Sequence, residues 1–409
     1  MKQEEVFLRR ILFNKRIKTE RFLAFMALLI MIVAGIIGAN REKEIFTTEV
    51  EKYVPDGCGL APLTVNTFAV FSFQSPDVVS YYITGIQTKG YGGAMESAIM
   101  VDTSGGIIGL KVLSHKETPF YMTRISKKNL NKDLIGKTYS DSLTEGIDID
   151  AVTGATYSSR AIIKAARIGC RIIAREQLNY TVPEELRDKV TIGLAEISLL
   201  LLFISAIIAQ YLQSRPKKIV HWFIWLTSLT LLGFWFAVPL SLVKINSFLM
   251  GYMPEWQTGL YWYLILAGFI IPILFTGKNL YCKQICPFGA MQECLGQIGG
   301  AKQRFTRKWV NYLRWFQRAM AWIAICLALF FQNPVQFNYQ IFGVAFTLSG
   351  TIYLFAILFL FIIAALFIRR PYCNILCPIN AIADLLRMMR KWIMEQFFPS
   401  AGTTRSQVV

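Results

Sequence analysis

Asp150-Ala151-Val152-Thr153-Gly154-Ala155-Thr156-Tyr157-Ser158-Ser159 is the stretch on which the reading of this chain turns. Gly154 and Ala155 are small enough to let a ligand approach the backbone. Ser158 and Ser159 are residues that favour a helix start. Behind them, Ala161 to Ala174 repeats apolar residues at helical spacing. The segment predicts a turn that opens a helix. The free N–H groups of such a start suit a phosphate, although an ordinary loop-to-helix capping segment has the same pattern.

Upstream, Ala98–Asp102 and Ile107–Leu113 read as two strands, and Thr103–Gly106 between them is a hairpin turn signal. Lys89–Gly93 is a Gly-rich turn before the first of them, and His115-Lys116-Glu117-Thr118-Pro119 follows the second. Residues 41–188 thus read as a soluble α+β domain.

The rest of the chain differs in kind. Its 409 residues allow two or three domains. A hydrophobic content of 54% and a mean hydropathy of +0.42 are too apolar for an ordinary soluble protein and point to membrane spans. The net charge of +17 is placed unevenly: residues 41–189 carry 18 basic and 18 acidic residues, so the whole excess lies in the apolar part. That placement speaks against a nucleic-acid patch and for the positive-inside pattern of a membrane protein.

Residues 1–21 carry seven Lys and Arg, and an apolar run from Phe22 to Ala39 follows. Cleavage after Ala39 would put Ile37 where a signal peptidase wants a small residue, so the run is read as a retained anchor. Further apolar runs at about 191–212, 220–242, 259–277, 319–335 and 351–368 bring the expected spans to six. The segments this assigns to the inside carry 24 Lys and Arg, whereas the short outside loops carry only Lys244. Both termini are therefore expected in the cytoplasm and residues 41–188 on the exported face of the cell membrane. The expected organisation is 1–40, N-terminus and first anchor; 41–188, exported domain; 189–368, five transmembrane helices; 369–409, cytoplasmic tail. Trp222, Trp256, Trp262 and Tyr263 fall near span ends as an interface belt. Glu196 is either a proton or quinone group or a solvated span end.

Tyr281-Cys282-x-x-x-Cys286-Pro287-x-x-Ala290-x-x-x-x-Leu295 matches Tyr372-Cys373-x-x-x-Cys377-Pro378-x-x-Ala381-x-x-x-x-Leu386 without a gap. Each copy closes a pair of spans, so the membrane part is expected to be an internal repeat of a helical hairpin plus a cysteine element. A cytoplasmic position disfavours structural disulfides. Neither pair supplies four thiolates, but Cys282, Cys286, Cys373 and Cys377 together do. An iron–sulfur cluster, a zinc site and a redox dithiol all answer to this set, the cluster first. Cys294 has no counterpart in the second copy, Cys326 is mid-span, and Cys58 and Cys170 are weak grounds for a disulfide. With only His115 and His221 in the chain, two histidines cannot face one haem across the spans.

Asp150-x-x-Thr153-Gly154-Ala155-Thr156 resembles the attachment motif of the FMN-binding domains in Rnf and Na+-translocating quinone reductase subunits and in NosR-like proteins. The resemblance implies FMN joined by a flavin transferase, through its phosphate, to the hydroxyl of Thr156. His115, Glu117 and Thr118 are similar to the His-x-Glu-Thr-Pro-Gly loop that packs near the flavin ring in those families, with Phe120 in place of the last Gly. An FMN domain, five following spans and two Cys-x-x-x-Cys-Pro motifs resemble NosR/NirI-type membrane flavoproteins. The length is closest to the RdhC (PceC) type encoded beside reductive dehalogenases; no four-cysteine ferredoxin run follows Cys377. The implied role is a membrane electron-transfer flavoprotein. It would take electrons from menaquinol, another quinol or a cytoplasmic donor and pass them to an exported terminal reductase, for which the family suggests a reductive dehalogenase. Its other partners would be the flavin transferase and membrane lipids, with no nucleic acid. The alternatives are a redox-sensing or maturation protein and a membrane anchor with an empty FMN-like domain.

Overall fold

The computed structural model describes residues 2–41, 54, 58–64, 66–72, 75–152, 155–184, 190, 192–301, 307–348 and 350–397. The chain forms two compact units: Met1–Pro183 with Leu249–Tyr252 and Trp322–Phe337, and Glu184–Phe248 with Met253–Ala321 and Asn338–Val409.

The first unit begins with α1 (Lys2–Arg41), a helix whose Thr19–Asn40 part is apolar enough to cross a membrane. Next comes an antiparallel meander of five strands in the order β1-β2-β3-β4-β5. They are β1 (Cys58–Thr64), β2 (Thr67–Ser72), β3 (Ser75–Lys89), β4 (Ala94–Val101) and β5 (Ile107–His115). The expected strand pair is β4 and β5, with β4 starting four residues earlier than its apolar run. The strands before it carry a weaker pattern, although β3 is rich in β-branched and aromatic residues (Val78, Val79, Tyr81, Tyr82, Ile83, Thr84, Ile86). Along β4, Met95, Ile99 and Val101 enter one core, while Ala98 and Met100 join Phe68, Val70 and Ile83 on the other face, as the two-residue period of a strand requires.

Short helices α2 (Pro119–Lys128) and α3 (Leu130–Leu134) lead to α4 (Thr156–Glu176), which packs on β3 and β4. The approach is close at Gly169, where a Cβ would lie 2.7 Å from Ile99 Cγ1. Ile162, Ala165, Ala166, Cys170 and Ile173 bury against the sheet, which is the helical periodicity expected behind Ser159. Cys58 and Cys170 are both free; they belong to opposite faces of the sheet, and Cys170 Sγ donates to Gly105 O. Also within this unit, Trp322 Nε1 donates to Ala27 O (3.1 Å) and Gln332 Nε2 to Gly35 O (3.4 Å), tying residues 322–332 to α1.

The second unit is helical. Its elements are α5 (Leu194–Tyr211), α6 (Ser214–Thr227, prolonged by a π-helical stretch Ser228–Trp235), α7 (Leu242–Leu249), α8 (Leu260–Thr276), a π turn (Tyr281–Ile285) and α9 (Pro287–Ile298). After them come α10 (Arg307–Phe331, shared with the first unit), α11 (Phe342–Thr347), α12 (Ile352–Phe367), α13 (Pro371–Ile375) and α14 (Pro378–Phe397). Among the described residues, four helical stretches are long and apolar enough to cross a membrane: Thr19–Asn40, Leu194–Tyr211, Pro216–Trp235 and Trp309–Phe331. Leu260–Thr276 and Ile352–Phe367 are shorter apolar helices. These apolar helices mark a membrane protein.

Three details differ from the sequence expectation or go beyond it. The third run is expected to reach residue 242, but its helix ends at Trp235, and Ala237 adopts a positive φ of 51°. Pro239 cannot continue a helix. The freed backbone is satisfied from elsewhere in the unit: Lys244 Nζ donates to Val238 O (3.1 Å) and Pro239 O (3.0 Å), and Leu240 N donates to the Tyr281 hydroxyl (2.8 Å). The fifth run is expected from residue 319, but α10 starts at Arg307, because an amphipathic turn can stay helical while carrying Arg314 and Arg318. Glu196 proves to be a helix cap: its Oε2 accepts from Gly193 N at 2.8 Å.

Candidate functional site

Two groups of residues stand out, one in each unit. In the first, Thr156 is the opening residue of α4 and half-buried, with Ala155 buried in front of it. The first turn of α4 carries no acidic residue of its own; the carboxylate that reaches it is Glu117, through Ser158. Ser159 braces this start: its hydroxyl accepts from Val152 N (3.1 Å) and lies 3.1 Å from both Ala155 O and Thr156 O. Asp150 is exposed, and its carbonyl accepts from Lys128 Nζ (2.9 Å). Thr153 and Gly154 lie outside the described residues.

Glu117 forms the other wall. It is buried; its Oε1 accepts from Gly92 N (2.9 Å) and its Oε2 from the Ser158 hydroxyl (2.5 Å). Burial raises the carboxyl pKa, against these hydrogen bonds, which lower it. The Gly-rich turn wraps this carboxylate: a Cβ on Gly90 would sit 2.1 Å from Glu117 Oε1, and one on Gly92 2.0 Å from Lys116 O. Tyr91 and Tyr121 meet edge to face beside it, with centroids 5.3 Å apart. Thr118 precedes Pro119 at the start of α2, where its carbonyl accepts from Tyr121 N (2.9 Å). Phe120 is absorbed into the first turn of that helix, under the Arg124 guanidinium at 4.5 Å. His115 ends β5 opposite Met95 and is exposed. The fold thus brings the Glu117 loop to the helix that Thr156 opens. Ser158, which makes the link, reads in the sequence only as a helix-start residue. A half-buried hydroxyl at a helix start is chemically suited to a phosphate-bearing group.

In the second unit, Cys282, Cys286, Cys373 and Cys377 line one cavity of about 110 Å³ together with Asn279, Lys283, Arg370 and Asn380. Cys286 and Cys377 are buried, and Cys282 and Cys373 are half-buried. Cys294 is half-buried and is not among the described lining residues.

The two cysteine turns are built alike. Cys286 N donates to Tyr281 O (2.8 Å) and Cys377 N to Tyr372 O (3.1 Å); Pro287 and Pro378 then open α9 and α14. Tyr281 and Tyr372 are fully buried anchors. The Tyr372 ring packs against Phe288 (5.0 Å), Phe361 (5.2 Å) and Phe342 (5.8 Å).

Burial drives all four thiols towards the protonated form, and the neighbouring cysteines push Cys282, Cys286 and Cys377 further, Cys286 to about 12. Burial raises Cys373 as well, and Arg370 works against it. Four thiolates can share this cavity only around positive charge, which is the condition a metal centre meets. Among the described residues, no three His, Cys, Asp or Glu side chains are set to hold a single metal ion. Four thiols lining one cavity are nonetheless a donor set that an iron–sulfur cluster or a zinc ion accepts.

Side chains that the sequence pattern does not single out brace the ring. Arg370 donates to Cys282 O and Lys283 O (both 2.8 Å) and pairs with Glu293 (2.6 Å). Gln292 Nε2 donates to Cys373 Sγ (3.3 Å), and Gln317 Nε2 to Cys373 O (2.9 Å). These partners lie 56 to 88 positions apart, where no local spacing could signal them.

Comparison with known proteins matches both regions. Residues 90–169 fit the model of the FMN-binding domain, and residues 258–306 and 350–394 each fit that of a 4Fe-4S binding domain. The chain thus carries an FMN-binding domain and a 4Fe-4S binding domain. Among curated relatives, it is 28% identical to Protein NirI of Paracoccus denitrificans over 170 residues, 38% of this chain and 25% of NirI. It is 35% identical over 103 residues to the G subunit of the proton-translocating ferredoxin:NAD(+) oxidoreductase complex of Clostridium ljungdahlii, covering 24% of this chain and 55% of that protein. The G subunit of the ion-translocating oxidoreductase complex of Vibrio vulnificus is 34% identical over 108 residues, 24% of this chain and 51% of that protein. The chain thus spans a quarter of NirI and about half of each G subunit.

Proposed function

We propose that this protein is a membrane electron-transfer flavoprotein, with FMN bound covalently at Thr156 and one [4Fe-4S] cluster held by Cys282, Cys286, Cys373 and Cys377. The observation that carries the proposal is the joining of two cysteine pairs, distant in sequence, around one cavity. FMN would supply one- and two-electron chemistry, and the cluster one-electron chemistry. The residues do the rest. The start of α4 presents the Thr156 hydroxyl to a phosphate, beside the small Ala155. Asp150, Thr153 and Gly154 complete that binding motif, and Glu117, Thr118 and His115 form the loop on the flavin side. Buried Tyr281 and Tyr372 keep water from the inner side of the thiol ring, and Arg370 offsets its negative charge.

The same reading takes the six apolar helices as spans, the first an anchor and the other five a membrane domain built on two hairpin repeats. The repeat of a short helix, an apolar helix, a cysteine turn and a following helix supports it: α7, α8, Tyr281–Ile285 and α9 correspond to α11, α12, α13 and α14. The excess of Lys and Arg on one set of connections supports an exported FMN domain with both termini inside. Electrons would arrive from a quinol or a cytoplasmic donor and leave to an exported terminal reductase, of which a reductive dehalogenase is one.

Iron and acid-labile sulfide analysis of the purified protein, with flavin fluorescence in a denaturing gel after co-expression with a flavin transferase, tests both centres at once. Iron with matching sulfide and a gel-stable flavin are expected. Zinc without sulfide would remove the cluster, and a flavin lost on denaturation would remove the covalent bond.

A further inference from the structure

The two cysteine elements are equivalent in sequence but not in their supports. In the gapless alignment of the two copies, Gln292 corresponds to Ala383 and Asn279 to Arg370. Cys282 is served from within its own copy: Asn279 Oδ1 accepts from Cys282 N (2.9 Å), and the Asn279 side chain also lowers the thiol pKa. Cys373 is served from the other copy. Gln292, on α9 and 1% exposed, turns its Nε2 to Cys373 Sγ (3.3 Å), while its Oε1 accepts from Tyr372 N (3.0 Å). The amide thus spends a donor and an acceptor on adjacent residues of the second copy, which fixes its orientation. Ala383 has no side chain with which to return the contact.

Building on the cluster reading above, we infer that Gln292 is a positioning residue that tunes the cluster through Cys373, its amide donating to the ligand sulfur from across the repeat. A hydrogen bond to a cluster sulfur favours the more negative, reduced state and so raises the reduction potential. In a buried site the effect is larger than in water. The first copy thereby sets the electron affinity of a centre half of whose ligands belong to the second.

The test is an EPR-monitored redox titration of the purified full-length protein, with iron and sulfide measured on each sample. Gln292→Leu removes the donor, and its cluster is expected to titrate at a lower potential with iron and sulfide retained. Gln292→Met, close to Gln in length and without a donor, is expected to shift the same way even if the Leu variant fails to assemble. Gln317→Leu removes a donor to the Cys373 carbonyl but none to its sulfur, and is expected to stay at the wild-type potential. Gln292 variants that keep their cluster and titrate as wild type overturn the inference alone. A wild type devoid of iron and sulfide overturns the cluster reading and the inference with it. A shift in Gln317→Leu equal to that in Gln292→Leu would assign the effect to ligand placement and overturn the role of the sulfur hydrogen bond.

Discussion

The Ser158 hydroxyl donates to Glu117 Oε2 at 2.5 Å, joining the loop after β5 to the first turn of the helix that Thr156 opens. Both side chains are buried, and the bond closes a gap of 41 positions in sequence. Removing Ser158 would leave a buried carboxylate short of a donor, at a cost of about 1–3 kcal/mol. Ser158→Ala is therefore expected to lower the thermal unfolding midpoint. Retention of the wild-type midpoint would show that the bond contributes nothing.

Burial raises the Glu117 pKa above its ordinary value. Because the folded state holds this proton more tightly than the unfolded chain, the stability it contributes is complete below the ordinary glutamate pKa. It is lost as pH rises through the raised value. Glu117→Gln abolishes this titration. The stability of wild type relative to Glu117→Gln should fall across that interval and level off above it, as read from denaturant midpoints at stepped pH. A pH-independent difference would contradict the raised pKa.

Thr156→Ala removes the only hydroxyl on the opening residue of α4. The expected result is complete loss of gel-stable flavin fluorescence with the fold intact by circular dichroism. Fluorescence that persists in the variant would move the attachment elsewhere.

Serine at any one of Cys282, Cys286, Cys373 or Cys377 should strip most of the iron and sulfide, since the four line one cavity. Cys294→Ser, outside that lining, should keep both. Loss confined to one pair would indicate two separate sites.

Glu196 caps α5, so Glu196→Ala should cost about 1 kcal/mol or less and leave iron, flavin and quinol-dependent reduction unchanged. A large loss of quinol-dependent reduction at unchanged stability would restore it as a proton or quinone group.

Much of this molecule is legible locally. The alternation in β4 and β5, the apolar period behind Ser159 and the long apolar runs report regular backbone, whose side-chain period is fixed within a few residues. The duplicated Tyr-Cys-x-x-x-Cys-Pro pattern likewise marks the four thiols, because an intact repeat is visible in one dimension. The end of α6 is not legible in this way, since Ala237–Ser241 is apolar enough to pass for helix. Only the capture of its carbonyls by Lys244, and of Leu240 N by Tyr281, makes the break tolerable.

The sequence by itself determined the β4–β5 strand pair, the helix behind Thr156, the apolar runs and the residues that carry the candidate chemistry. Tertiary structure alone decided that Ser158 answers Glu117, that Arg370 braces the Cys282 turn and that Gln292 reaches Cys373. The reason is physical. Local patterns follow from backbone periodicity, whereas the partner of a buried polar group is whichever donor or acceptor the packed core brings within about 3 Å, however far away it lies along the chain.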